Sequence, residues 1–131
     1  MTGLIALAEK EGIRFYELEL PKGLKGLYYD YTIVLNKGIE TEYERKCVFA
    51  EELGHFYTSI GNILDMNIES NRKQEQRARA WAFEKLAPFN KIVEAYDNGY
   101  TETYETAEYL EVTEDFIKEA IIYYQNKYGR K

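Results

Sequence analysis

The chain predicts an α+β fold, and three features of its pattern carry that expectation. Residues 13–20 partly alternate apolar and polar side chains, and 27–29 and 32–35 read as a paired hairpin, so the first third holds strands. From about Glu40 onward the apolar period lengthens to that of a helix. Strands come first and most helices afterwards, without the strand–helix alternation of a parallel α/β sheet.

Each element has its own signal. Residues 4–11 (LIALAEKE) form a short helix stopped by Gly12. The segment IRFYELEL at 13–20 is a strand ended by Pro21. Gly23, Leu24, Lys25 and Gly26 make a turn. The hairpin that follows bends at Asp30 and Tyr31 and ends at Asn36, Lys37 and Gly38. A helix runs from about 40 to 59, a loop covers 61–70, and a second helix runs from about 71 to 87, before Pro88. The last third, about 101–128, divides into two helices near Val112 and Thr113. With no repeat or long linker, a single domain over 1–131 is expected. Its parts are an N-terminal helix and small sheet (1–40), two central helices (41–90) and a closing helix pair (100–131).

Composition narrows the class. A length of 131 residues supports one core, not two. An apolar share of 45% with 13 Tyr and 6 Phe argues against disorder. No apolar run approaches the roughly 18 residues of a membrane span, and the first twelve residues lack the features of a secretory leader. One cysteine cannot form an internal disulfide, which fits a cytoplasmic location. A net charge of −6 argues against nucleic acid as a partner, because phosphate contacts require clustered Lys and Arg.

The most specific stretch is Glu51-Glu52-Leu53-Gly54-His55. It differs by one letter from H-E-x-x-H, in which two His one helical turn apart hold zinc and the intervening Glu is a general base. On a wheel at about 100° per residue, Phe49, Leu53, Phe56 and Ile60 form one stripe, suited to packing on the sheet. Glu51 and His55 project from the other side with Cys47 and Gly54, so a helix sandwiched between layers is expected. Gly54 in mid-helix costs about 1 kcal/mol relative to Ala, which points to close approach by another segment. That segment is expected to be the second helix, where Glu75, Ala78, Ala82 and Leu86 share a face. Glu75 follows His55 by 20 residues, enough for a loop and an antiparallel return. Three protein ligands with a Glu beside them is the pattern of a catalytic zinc site.

These blocks resemble the ImmA/IrrE family of metallo-endopeptidases, typical of prophages and integrative elements. Gly26-Leu27-Tyr28 with Thr32-Ile33-Val34-Leu35-Asn36 resembles the family's hairpin. Lys46 to His55 (KCVFAEELGH) is similar to its "vlaHElgH" helix, and Glu75 to Pro88 (EQRARAWAFEKLAP) to its "E..An.FA..LLmP" helix. The resemblance implies a zincin-like α+β fold: a small sheet packed on a metal-site helix, followed by further helices. It implies that His55 and Glu75 are metal ligands, that Glu52 is the general base, and that Zn²⁺ is the cofactor. It also implies a protein substrate, a repressor of a prophage or mobile element. Glu51 stands where the family has His, Arg79 where it has Asn, and Trp81 where it has Phe.

With Glu51 as third ligand, two carboxylates and one neutral imidazole cancel the ion's charge, whereas a His-His-Glu set leaves one positive charge. Such a centre polarises a carbonyl less, and its harder donors let Mn²⁺ or Fe²⁺ compete with zinc. The alternative is a protease-like scaffold, weak or inactive, that binds a protein and regulates it. A rival from another class is a helix-turn-helix DNA-binding protein, since residues 106–117 carry an "A..L.V….I" spacing. The acidic side chains Glu102, Glu105, Glu108, Glu111, Glu114, Asp115 and Glu119 oppose it, and favour a structural helix pair. Three lesser features have ordinary readings: Arg72, Lys73, Arg77 and Arg79 as surface pairs, Cys47 as a small packing residue, and Tyr57 as one of many tyrosines.

Overall fold

The computed structural model describes residues 1–59 and 68–129, with side chains in the second segment from 71 onward. Its elements are helix α1 (Thr2–Lys10), strands β1 (Arg14–Leu18), β2 (Gly26–Tyr29) and β3 (Thr32–Asn36), and helices α2 (Glu42–Ser59), α3 (Ile68–Leu86), α4 (Phe89–Asp97), α5 (Thr103–Leu110) and α6 (Glu114–Tyr128). The architecture is α+β, as the pattern predicts.

The hairpin forms because its turn residues accept an unusual backbone. Asp30 and Tyr31 have φ of 49° and 60°, the left-handed pair that a two-residue type I′ turn requires. Tyr31 has no glycine-like freedom there, and two contacts hold it. Its N–H donates to the Tyr28 hydroxyl at 3.1 Å, and its ring lies edge-on to Phe56 at 5.4 Å. β2 and β3 are therefore antiparallel, with Tyr29 opposite Thr32. β1 joins on the far side of β3 and parallel to it, giving the order β1-β3-β2 and, among the described residues, leaving β2 at an edge.

Period-two alternation turns Ile33 and Leu35 of β3 fully inward. They meet the stripe of α2, where Phe49 packs edge-on to Phe15 of β1 at 5.0 Å and Phe56 lies 6.1 Å from Tyr28 of β2. The opposite side of α2 packs on α3. There a Cβ built on Gly54 would sit 2.3 Å from the Ala78 carbonyl oxygen, and Ala78 and Ala82 are fully buried. The sandwiched helix and the close approach at Gly54 are thus both present.

The closing pair α5–α6 buries Ala107, Val112, Phe116, Ile117, Ala120 and Tyr124, and Phe116 meets Phe83 of α3 at 5.1 Å. Thr113 caps α6 by accepting from the Phe116 N–H at 3.2 Å. Two differences from the sequence reading stand out. Residues 68–70 belong to α3 instead of a loop, while the rest of that expected loop and Ile60 lie outside the described residues. Helix α4 was not expected at all. Its Phe89, Ile92, Val93 and Tyr96 carry a helical stripe, and Phe89 packs against Tyr124 and Tyr128 of α6 at 5.5 and 5.4 Å. Among the described residues no helix is long and apolar enough to cross a membrane.

Gly54→Ala should be costly despite the better helix propensity of Ala. Overpacking against a backbone carbonyl costs about 1–3 kcal/mol or more, and the propensity gain returns about 1 kcal/mol. A net loss of about 1–2 kcal/mol in urea unfolding is expected, and unchanged stability would show that the helices can part freely.

Candidate metal centre

The α2–α3 contact decides what faces what. Glu51 and His55 lie one turn apart on α2, and Glu75 comes to them from α3. His55 Nε2 and Glu75 Oε2 are 3.1 Å apart. Glu51, His55 and Glu75 each offer one ligand atom, and all three atoms lie within 4.8 Å of one another. Two ligands of a tetrahedral zinc, bonded at 2.0–2.1 Å, sit roughly 3.3 Å apart. The His55–Glu75 pair already has that spacing, and Glu51 offers an oxygen within 4.8 Å of both. One imidazole and two carboxylates on two rigid helices therefore fit a divalent metal by chemistry and by reach.

Glu52 is held differently. It is buried, and β2 passes directly over it: a Cβ on Gly26 would stand 3.1 Å from Glu52 Oε2 and 2.7 Å from Val48 Cγ1. Glycine at 26 is what lets the edge strand come down onto the carboxylate. Burial, with the negative charges of Glu51 and Glu75 adding to it, pushes the Glu52 carboxyl up to about 8. Burial also raises Glu51, and Glu75 adds to that, while the guanidinium of Arg79 pulls it back down. Arg79 Nε lies 3.4 Å from Glu51 Oε2.

Among the other residues singled out in the sequence, two turn away from this cluster. The Cys47 thiol lies in the core beside Thr113 in the turn between α5 and α6; burial raises its pKa, while its contact with Thr113 pulls the other way. The Tyr57 hydroxyl donates to Glu11 at 2.8 Å and its ring stacks on Trp81, so it is committed to α1 and α3. Arg79 does form a surface pair, but with the site itself. Two participants were missed in the sequence: Arg79 as the partner of Glu51, and Gly26 as the roof of Glu52. Only the first left a local signal, since Arg79 is one turn beyond Glu75 on the same face of α3.

The chain matches the profile of the peptidase family M78, the IrrE N-terminal-like domain, over residues 8–121. It belongs to that family. The matched span runs from α1 into α6 and includes every residue of the site, and the small mixed sheet with its helices is the α+β architecture of a zincin-like domain. Membership carries a metallopeptidase-type function, and the Glu51–His55–Glu75 group could hold a metal ion. No curated protein and no solved structure matches the chain.

The raised Glu52 carboxyl has a sign that can be measured in chelator-treated protein. The folded state binds a proton that the unfolded state releases at the ordinary carboxylate pKa, so this group's contribution is full below about 4.5 and is lost as pH rises through about 8. Glu52→Gln should flatten the fall of urea-unfolding free energy between those values. An unchanged slope would show that Glu52 is not the group responsible.

Proposed function

We propose that the protein is a zinc-dependent endopeptidase in which Glu51, His55 and Glu75 hold the ion and Glu52 is the general base. The observation that carries this reading is convergence. Three ligand atoms from two helices lie within 4.8 Å, and a buried carboxylate stands beside them under an edge strand. When bound, the ion supplies Lewis-acid polarisation of the peptide carbonyl and acidifies the attacking water. Glu52 accepts the water's proton on a carboxylate oxygen and passes it to the departing amide nitrogen. A nearby cation stabilises ionised Glu52, reversing the shift that its carboxylate neighbours impose. Among the described residues the strand β2 has a partner on one side only, so an extended segment of the substrate can pair along its other edge and cross above Glu52.

The substrate we propose is a repressor or other regulatory protein of a prophage or mobile element, a reading that rests on the family. Two carboxylate donors leave room for Mn²⁺ or Fe²⁺ in place of zinc. The second reading is a protein-binding scaffold with weak or no cleavage, favoured by the one observation that Arg79 already engages Glu51.

Protein purified without added zinc should carry close to one equivalent of metal by elemental analysis, and His55→Ala and Glu75→Ala should lose it. Glu52→Gln should keep the metal and lose at least about 10²-fold in cleavage. Cleavage is read as the intact mass of a repressor encoded beside the protein and co-expressed with it. Wild-type protein that takes up no metal, even with zinc supplied, would end the enzyme reading.

A further inference from the structure

Without a cation, the facing sides of α2 and α3 would set Glu51, Glu52 and Glu75 close together beside the imidazole of His55. Among the described residues, Arg79 is the Lys or Arg that ion-pairs with any of the three, through Nε to Glu51 Oε2 at 3.4 Å. It does so from the turn of α3 that follows Glu75, so one helix face delivers both a ligand and a compensating charge. The sum of charges is informative. Glu51, Glu75 and Arg79 together carry one negative charge, the same as a site of two imidazoles and one carboxylate. A guanidinium suits the task, because it stays charged at every physiological pH and its planar fork matches a carboxylate.

We infer that Arg79 is the internal counter-ion of this centre: it holds Glu51 in the metal-free protein and opposes the metal's charge when one binds, so it sets how tightly metal is held. The inference rests on Glu51 being a ligand in the function proposed above. The pair is half-open to water, with 54% of the Arg79 side chain and 29% of the Glu51 side chain exposed, so its influence is moderate and sensitive to salt. Arg79 is a positioning residue, since it acts through Glu51.

The test uses chelator-stripped wild type, Arg79→Gln, Arg79→Lys, Glu51→Gln and the Glu51→Gln/Arg79→Gln pair, with zinc affinity read by competition against a chromogenic chelator. Arg79→Gln should bind zinc roughly three- to tenfold more tightly at low salt, with the gap narrowing as salt is raised. Arg79→Lys, which keeps the charge, should stay near wild type. The effect of Arg79→Gln should be smaller when Glu51 is already Gln, because the pair is then gone and only the repulsion between Arg79 and the ion remains. Melting of the stripped proteins gives a second readout, in which Arg79→Gln should unfold at a lower temperature than wild type. Equal or weaker zinc binding by Arg79→Gln, with wild type binding normally, would overturn the counter-ion role alone. Zinc binding by none of the proteins would overturn the proposed function and this inference with it.

Discussion

Everything at the centre of this molecule depends on how close two helices come. Gly54 of α2 lies against the backbone of Ala78, where any side chain would meet a carbonyl oxygen at 2.3 Å. Ala78 and Ala82 keep the facing side of α3 equally thin. At that separation Glu75 reaches His55, and without it the ligand atoms would belong to two unrelated surfaces. The sheet presses on α2 from the other side through Phe15, Ile33 and Leu35. α6 fixes the far end of α3, where the Tyr124 hydroxyl donates to the Ala87 carbonyl at 2.9 Å.

Such closeness concentrates negative charge in a partly dry place, which a fold does not tolerate without compensation. The protein uses three different devices. Glu75 meets an imidazole, Glu51 meets a guanidinium, and Glu52 is pushed toward its neutral form beneath Gly26. A divalent ion would satisfy all of them at once. Under the proposed function the same three groups are the ones that would face the ion.

The parts of this design that depend on local pattern were legible in the sequence. The α2 stripe, the hairpin bend at Asp30 and Tyr31, the role of Gly54 and the partnership of Glu75 all follow from period, turn chemistry and small residues. What was not legible depends on relations between distant segments. The parallel pairing of β1 with β3 joins strands that are not consecutive, and no local pattern announces it. A helical wheel groups Cys47 with Glu51 and His55, and cannot show that its thiol packs instead beside Thr113 of a later turn. Arg79 meets Glu51 only at one axial offset of α2 and α3. Helix α4 is a different kind of miss, because its stripe was present but spans nine residues whose apolar side chains are largely exposed.

The tight turn at Asp30 and Tyr31 has a consequence beyond its own geometry. By docking Tyr31 and Tyr28 on Phe56, it binds the hairpin to the same helix that carries Glu52. Edge strand and carboxylate are therefore anchored to the same helix. A polypeptide laid along β2 would be read as by a ruler with two-residue divisions, because pleating sends alternate side chains toward α2 and the others away. Sliding by one residue would exchange every side chain between those two environments. Under the proposed function, selectivity would reside in the phase of the substrate's sequence as much as in any single residue at the cut.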